Sequence, residues 1–390
     1  MAPRGELGRF VVLYTAMYAS FGVASPFLPA FVSARGLPAA QLGVVLAAAT
    51  AIRLLSSPLA GRIADLTGAL RVVLALCAAA AGLFTLAYLP AGSFWSFFAV
   101  ALLQAAALGP ITVLADALAL GAAAGTQRPF EYGRVRGAGS AAFIAGTLLS
   151  GQAIGAFGLG VVLALQSFLL GAAALAALAV PELKHPSRKA RLDTGGVATL
   201  VRMPVFRNLV LAAALILGSH AMQDGFAVVR WSAAGISPAA ASVLWSESVA
   251  AEVVVFFFLG PRLVARLTPA GAIALAAVAG IVRWSVMAQT SNVALIALAQ
   301  PLHGITFALL HLACMRLIRD AVPAGLEATA QALYGTVGIG AASALLTLLS
   351  GALYARAGAQ GFWVMAALCA LSLPVAWTLS QKRSRPGAAS

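Results

Sequence analysis

The sequence predicts an all-α membrane protein with twelve transmembrane helices in two pseudo-symmetric six-helix bundles and with both termini in the cytoplasm. Three observations support this fold class: the composition, a series of long apolar runs and an uneven distribution of lysine and arginine. Of 390 residues, 62% are hydrophobic and only 9% are charged. A water-soluble domain normally has about a quarter of its residues charged, so the composition excludes a soluble fold.

Twelve apolar runs are long enough to cross a hydrocarbon core of about 30 Å at about 1.5 Å per residue. They are continuously apolar rather than alternating, which favours helices over a β-barrel. The first run is longer than the core of a cleaved signal peptide and is therefore interpreted as a span. The runs lie near 8–32, 40–60, 70–90, 94–121, 137–158, 160–180, 206–229, 238–260, 270–289, 293–318, 329–350 and 360–380.

Orientation follows from the basic residues, because cytoplasmic loops are enriched in lysine and arginine. Of the 25 basic residues, 20 fall at the N-terminus, in the even-numbered loops or at the C-terminus. The net charge of +14 is thereby explained by topology, and no nucleic-acid partner is predicted. The predicted location is a bacterial inner membrane, with multiple spans.

The longest polar stretch, 181–204, is basic and contains three prolines. We interpret it as a cytoplasmic linker between an N-terminal bundle, 1–180, and a C-terminal bundle, 205–390. A weak internal repeat with an offset of 199 residues supports two similar halves. It relates Gly36 to Gly235, before spans 2 and 8, and Gly61 to Gly260, after them.

The loop after span 2 has a distinctive spacing of glycine, aspartate and arginine. Its residues are Gly61, Asp65, Gly68 and Arg71. Glycine permits a tight turn, while Asp65 is suited to capping a helix N-terminus and pairing with an arginine. The loop resembles the signature loop of the major facilitator superfamily, although Leu66 stands where that family usually has a basic residue.

A finer resemblance extends over nearly the whole chain. It rests on Leu114–Ala119, Tyr132–Gly137, Arg283-Trp284 and Gln300–Phe307. These segments are similar to the branch of proton symporters that includes phenylpropionate, nucleoside and lactose permeases. The resemblance implies uptake of a small organic solute with protons by alternating access.

Ionisable side chains inside a span cost several kcal/mol, so each is a candidate functional residue. The candidates are Arg53, Asp116, Arg136, Asp224, Glu247, Glu252, Arg283, His303 and His311.

Counted at about 1.5 Å per residue, Glu247 in span 8 and Arg283 in span 9 lie at similar depth. This predicts a buried ion pair, either a proton-coupling site or a static salt bridge. An arginine favours the charged form of a neighbouring carboxylate, so breaking the pair would let the acid take a proton. Glu247, Arg283 and His303 also resemble the coupling residues of lactose permease. Glu252 is the alternative proton carrier, and because it lies about 140° from Glu247 around an ideal helix, at most one of the two is expected to be central.

In the first half, Asp116 and Arg136 resemble the acid–arginine pair that holds the sugar in lactose permease. Asp116 can alternatively pair with Arg62 or Arg71, and Arg136 can anchor the membrane surface. Arg53, which corresponds to Glu252 under the 199-residue offset, is predicted to pair with Asp116.

The remaining polar residues favour simpler roles. His311 is expected to be a packing or gate residue, and Asp224 an outer gate rather than a central site. The aromatic residues Tyr18, Phe21, Phe27 and Trp284 are candidates for lining a cavity, although most aromatics in such bundles are packing. The two span-10 histidines lack a third ligand, and the three cysteines lie within apolar runs, so we predict no metal and no cofactor.

The function predicted first is proton-coupled uptake of an aromatic carboxylate such as phenylpropionate by a monomer in a lipid bilayer. Sugar or nucleoside uptake remains open, as does efflux by proton antiport, although span 5 lacks the proline of the exporter motif. An enzyme is excluded because no GxSxG, HExxH or GxGD motif occurs. A nutrient sensor on the same fold also remains open.

Overall fold

The computed structural model describes residues 4–124, 130–182 and 194–381, and within these ranges the chain forms helices and no strand. Nine helical stretches there are long and apolar enough to cross a membrane, and two of them, Pro238–Gln289 and Glu327–Ser380, have 52 and 54 residues. Leu70–Leu86 is a shorter apolar helix. Each predicted apolar run overlaps a helix, so the predicted all-α membrane class is confirmed. Arg128, most of the predicted linker (183–193) and the last nine residues lie outside the described ranges.

Contacts between helices divide the chain into two compact units. Unit 1 comprises Met1–Ala190 with Trp231–Ser246, and unit 2 comprises Arg191–Arg230 with Glu247–Ser390.

Unit 1 is built around a helix, α1, that packs against α6 and α7, while α5 packs against α3 and α4. The helices are α1 (Arg4–Ala24), α2 (Leu28–Ala34), α3 (Ala39–Thr67), α4 (Leu70–Leu86), α5 (Phe94–Ala123), α6 (Tyr132–Phe157) and α7 (Val161–Ala179).

Small residues bring α1 and α6 into close contact. A Cβ added at Gly22 would overlap the carbonyl of Phe143, and one added at Gly146 would overlap the carbonyl of Ala19. The hydroxyl of Thr147 also donates to the Gly22 carbonyl at 2.9 Å. Since lipid provides no hydrophobic force between helices, such close backbone packing is what stabilises the pair.

Unit 2 is centred on α12, which packs against α18, and α18 also packs against α9. Its helices are α8 (Thr194–Arg202), α9 (Pro204–Gly218), α10 (Ala221–Ala233), α11 (Pro238–Val254), α12 (Gly260–Gln289), α13 (Val293–Ala299), α14 (Leu302–Gly304), α15 (Leu310–Ala321), α16 (Glu327–Leu333), α17 (Ala342–Ala357) and α18 (Phe362–Gln381), of which α10 and α11 are shared with unit 1.

Several helices of unit 2 are interrupted within the predicted spans. The structure has π-helical segments at Val255–Leu259, Ile305–Leu309 and Tyr334–Ala341. Pro301 follows the end of α13, where it has no N–H to continue the helical hydrogen bonds. Wider π turns are frequent at functional sites, and these interruptions flank the polar residues of unit 2.

The turns before α3 and α11 are equivalent. Gly36 (φ 88°) donates its N–H to the carbonyl of Ser33 at 2.9 Å, and Gly235 (φ 80°) donates to Ser232 at 3.0 Å. A positive φ is accessible to glycine at little cost, which explains the residue type at both turns. The 199-residue offset therefore relates two turns of the same conformation.

Candidate functional site

Arg283 is the centre of a polar cluster in unit 2. Its side chain is fully buried. Nη1 lies 3.0 Å from Nδ1 of His303, and Nη2 donates to Oε1 of Gln300 at 3.1 Å. The guanidinium also lies over the ring of Trp284, with Cζ 4.6 Å from the centroid. Because an arginine donates and does not accept, Nδ1 of His303 must be the acceptor, which makes His303 neutral with its proton on Nε2.

The other side of the His303 ring faces an acid. Nε2 lies 3.5 Å from Oε2 of Glu252, and the two side chains are 15% and 29% exposed. The spacing depends on Gly304, since a Cβ there would come within 2.5 Å of the Ala251 carbonyl. Close packing of α14 against α11 thus holds His303 beside Glu252, and the cluster forms a row of acid, imidazole and guanidinium.

Asp224 and His220 border the same cluster. Asp224 interacts electrostatically with Arg283. His220 lies at the break between α9 and α10, with its ring 5.0 Å from that of His303 and 5.3 Å from that of Trp284. The indole of Trp284 in turn donates to Ser219 at 2.8 Å. Asp224 therefore belongs to the surroundings of Arg283, and its role as an outer gate stays a prediction.

Glu247 does not form the predicted pair with Arg283. In the part of the chain that the structure describes, Glu247 makes no ion pair, and Arg283 is bonded to His303 and Gln300 instead. The prediction that at most one of the two acids is central agrees with this arrangement, because Glu252 reaches His303 from a position five residues further along the helix. Matched depth alone was insufficient, since the rotation of the helix decides which acid faces the cluster.

Unit 1 contains a second polar cluster. Asp116 Oδ1 accepts from the hydroxyl of Tyr14 at 2.5 Å and from that of Tyr132 at 2.9 Å. Arg136 lies over the ring of Tyr18, with Cζ 4.5 Å from the centroid. An acid, a cation and three phenols therefore meet where α1, α5 and α6 pack together.

The predicted ion pairs of Asp116 are not present among the described residues. It forms no ion pair with Arg136, Arg53, Arg62 or Arg71 in this part of the chain, and its Oδ1 accepts from two tyrosine hydroxyls. Arg53 instead lies against Gly109 of α5, where a Cβ would be 3.0 Å from Cγ of the arginine.

The signature loop also differs from its prediction. Gly61 lies inside α3, which continues to Thr67, and the turn is made by Gly68 at φ 64°. Asp65 does not cap α4; the N–H of Arg71 in the first turn of α4 donates instead to Oε1 of Glu182 at 3.3 Å. Arg71 pairs at 3.2 Å with Glu182, an acid that sequence reasoning missed, and donates to the carbonyl of Val180 at 3.3 Å. A cation at the C-terminus of α7 stabilises the helix dipole.

His311 and Arg230 have structural partners. The imidazole of His311 lies 3.2 Å from the Tyr334 hydroxyl, which agrees with the predicted packing role. Arg230 caps the end of α12 by donating to the carbonyls of Met287 and Thr290 and does not pair with Asp224.

Sequence reasoning assigned no site role to four members of the two clusters: Tyr14, Tyr132, His220 and Gln300. Two signals were available. Gln300 precedes a proline inside an apolar run, and His220 follows Gly218-Ser219 inside another. Both patterns predict an interrupted helix, which in transporters frequently marks the binding site.

Buried charged residues grouped inside apolar helical units define a membrane transporter, because lipid-facing charges are too costly. The profile of the MFS_1-like family matches residues 7–365. The chain belongs to this family of the major facilitator superfamily, and it is a transporter of small molecules rather than an enzyme.

The relatives agree with this assignment. The chain is 34% identical over 365 residues to the probable 3-phenylpropionic acid transporter of Escherichia coli (strain K12), covering 90% of this chain and 92% of the relative. It is 24% identical to the maltose permease of Geobacillus stearothermophilus, covering 96% and 95%. The structure resembles that of the nucleoside transporter NupG (TM-score 0.82, 16% identity, 99% and 100% covered) and that of a bacterial homolog of the human lysosomal transporter Spinster (TM-score 0.73, 15% identity, 99% of each chain). These structural likenesses concern the fold.

Proposed function

We propose that this protein is a secondary active transporter that takes up an aromatic carboxylate together with protons by alternating access. The observation that carries the proposal is the contact between Arg283 and Nδ1 of His303, on the opposite side of the ring from Glu252. It places a titratable imidazole between a fixed cation and an acid.

Protonation of His303 and its contact with Arg283 exclude each other. A proton added to the neutral ring binds Nδ1, the nitrogen that accepts from Arg283. Nδ1 of the imidazolium is then a donor that faces the donor Nη1 of Arg283, and the two cations repel each other at about 3 Å. Arg283 must leave this position when the site is protonated, and the imidazolium is then stabilised by Glu252.

This exchange supplies a physical basis for coupling. Because His303 and Glu252 interact closely, the proton belongs to the pair rather than to one residue. Movement of a buried guanidinium changes the hydrogen bonds of Gln300 and the packing of Trp284. Proton binding therefore favours a different arrangement of α12 and α13, which is the requirement for a proton to drive a conformational change.

An aromatic carboxylate is the preferred substrate class for two reasons. The relative of 34% identity is named as a probable transporter of 3-phenylpropionic acid. The half-buried Arg136 of unit 1 provides a cationic group for an anion. A sugar or nucleoside is the second candidate, because the maltose permease relative covers nearly the whole chain.

Twelve spans and cytoplasmic termini complete the proposal. The 52-residue stretch is broken by the non-helical Thr268 (φ 64°, ψ 159°), and the 54-residue stretch by a 3-10 turn at Gly358–Gly361. Each is about 80 Å long by rise per residue, enough for two crossings. With Leu70–Leu86 as a further span, the count is twelve. The even count supports termini on the same side, and the basic loops support the cytoplasmic side.

The test is uptake of radiolabelled 3-phenylpropionate, maltose and uridine into proteoliposomes with and without an inward proton gradient. We expect gradient-driven accumulation of the acid, which collapses when a protonophore is added. Glu252→Gln should abolish accumulation and preserve exchange of substrate in the absence of a gradient. Glu247→Gln is the matched control on the same helix and should retain both activities.

Other outcomes assign other functions. Accumulation lost in Glu247→Gln and kept in Glu252→Gln would move the proton site to Glu247. Transport driven only by the opposite gradient would identify an antiporter. Uptake with no response to either gradient would exclude proton coupling.

A further inference from the structure

One face of α1 carries a row of three aromatic rings. Tyr14, Tyr18 and Phe21 are four and three residues apart, so they lie on the same side of the helix. The rings of Tyr14 and Tyr18 are stacked 5.8 Å apart, and that of Phe21 meets Tyr18 edge-on at 5.5 Å. Tyr14 and Tyr18 are buried, whereas Phe21 is half-buried and ends the row with accessible ring surface.

Arg136 lies on this aromatic row without a polar protein partner. Its guanidinium covers the Tyr18 ring at 4.5 Å. Within the described ranges it makes no hydrogen bond and no ion pair, and it is only half-buried. Asp116 forms no ion pair with it in these ranges, and the hydrogen bonds of that carboxylate come from the tyrosine hydroxyls. The donors of Arg136 are therefore available to an anion from outside the chain.

The position of the Tyr18 ring depends on a glycine. A Cβ added at Gly139 would lie 2.8 Å from Cδ2 and 3.2 Å from Cγ of Tyr18. Gly139 is one turn beyond Arg136 on α6, so the two residues face the same ring. The absence of a side chain at 139 allows the ring to lie flat beneath the guanidinium.

This side of α1 is unlike a lipid-facing surface. Charged groups within a membrane face the protein interior or an aqueous cavity, and Asp116 and Arg136 both lie beside the aromatic row. The ring of Phe21 is linked to Arg136 through the Tyr18 ring, which both of them contact.

We propose that Arg136, Tyr18 and Phe21 form the subsite that binds an arylalkyl carboxylate, with the carboxylate on Arg136 and the aryl ring against Phe21. The inference rests on the proposed function, because it locates the substrate of that transport. Arginine binds carboxylates through paired N–H donors, and aromatic rings favour edge-to-face or offset contact. The guanidinium of Arg136 and the ring of Phe21 are separated by about the width of the Tyr18 ring. This separation fits the short alkyl linker between the carboxylate and the aryl ring of the ligand.

The test compares matched ligands in equilibrium binding to the purified protein at one pH and without a proton gradient. The ligands are 3-phenylpropionate, its neutral analogue 3-phenylpropanamide, and 3-cyclohexylpropionate. The variants are Arg136→Gln, Arg136→Lys and Phe21→Leu. Phe10→Leu is the control, since Phe10 lies on the same helix but packs against Phe130 outside the aromatic row.

We expect Arg136→Gln to weaken binding of the acid about tenfold or more and to leave amide binding unchanged, because only the acid loses a charge-assisted contact. Arg136→Lys should restore part of the loss, since lysine keeps the charge but not the planar fork. Phe21→Leu should weaken binding of the phenyl acid about three- to tenfold and that of the cyclohexyl acid less.

The subsite is overturned if Arg136→Gln reduces binding of acid and amide alike, or if Phe21→Leu behaves like Phe10→Leu. It is also overturned if the wild-type protein does not bind the phenyl acid. Binding without gradient-driven accumulation would instead exclude proton coupling and leave the subsite in place, so the two proposals fail separately.

Discussion

The two polar clusters each combine an acid with an arginine, but they hold these groups differently. In unit 1, Asp116 accepts from two phenols and Arg136 has no polar partner among the described residues. In unit 2, Glu252 faces an imidazole and Arg283 is buried with both terminal nitrogens bonded. Phenols do not titrate near neutral pH, whereas imidazole does. The difference suits unit 1 to recognition of an anion and unit 2 to binding of a proton.

The largest effect should come from exchanging arginine for lysine in each cluster. At Arg283, lysine cannot reach His303 and Gln300 together, so a buried acceptor loses its donor at a cost of about 3 kcal/mol. We expect Arg283→Lys to lower thermal stability and to abolish accumulation of the labelled substrate. Thermal melting of the purified protein and uptake into proteoliposomes measure the two effects.

Arg136→Lys provides the comparison. It removes only a cation–π contact of about 0.5–1 kcal/mol, so its melting temperature should stay close to that of the wild type. Equal destabilisation by the two substitutions would show that Arg136 has a structural role comparable to that of Arg283.

The second prediction separates the two polar clusters by how transport responds to pH when one residue of each is replaced. His303→Asn keeps an oxygen acceptor for Arg283 but removes one member of the His303–Glu252 pair that shares the proton, so the dependence of uptake on external pH should shift. Tyr14→Phe removes one hydrogen bond from a charged acceptor and should cost about 1–3 kcal/mol of stability. It should leave the shape of the pH profile unchanged, as measured by uptake over a series of external pH values.

A pH profile that shifts in Tyr14→Phe and not in His303→Asn would reverse the roles of the clusters. Tyr132→Phe is the check on the first variant, because it removes the other hydrogen bond to the same oxygen of Asp116.

The sequence was sufficient for the all-α membrane class and for most ionisable residues of the clusters but not for their partners. Length and continuity of apolar runs determine the helices, and the 199-residue offset located the equivalent turns at Gly36 and Gly235. Partner choice depends on helix rotation and on local breaks, which the ideal 3.6-residue period does not describe. Glu252 rather than Glu247 faces His303 because of that rotation, in a helix that becomes π-helical three residues further on.

The sequence likewise did not show that Arg136 has no polar partner among the described residues. The resemblance to an acid–arginine pair suggested a contact with Asp116, but that carboxylate accepts from the hydroxyls of Tyr14 and Tyr132 instead. The spacing of Tyr14, Tyr18 and Phe21 was visible in the sequence as one face of a helix. Which neighbouring helix packs against this face depends on the tertiary structure. The neighbour is α6, which places Arg136 over the ring of Tyr18.

The smallest predicted effect concerns the turns that follow α3 in unit 1 and interrupt α12 in unit 2. Gly68 turns the chain at φ 64°, and Thr268 adopts the same φ with ψ 159°. A β-branched residue pays about 1–3 kcal/mol for such a conformation, whereas glycine does not. Thr268→Gly should therefore stabilise the protein by about 1 kcal/mol after the loss of its hydrogen bond to the N–H of Gly271.

Gly68→Ala is the opposite substitution and should destabilise by about 1 kcal/mol. Since no atom lies within 4 Å of a Cβ at this position, the cost is conformational and not steric. Thermal melting of both variants measures the difference. A Thr268→Gly protein that melts at a lower temperature than the wild type would show that the threonine side chain stabilises this turn by more than the strained backbone conformation costs. Unit 2 would then depend on a side-chain contact at its turn, where unit 1 depends on glycine alone.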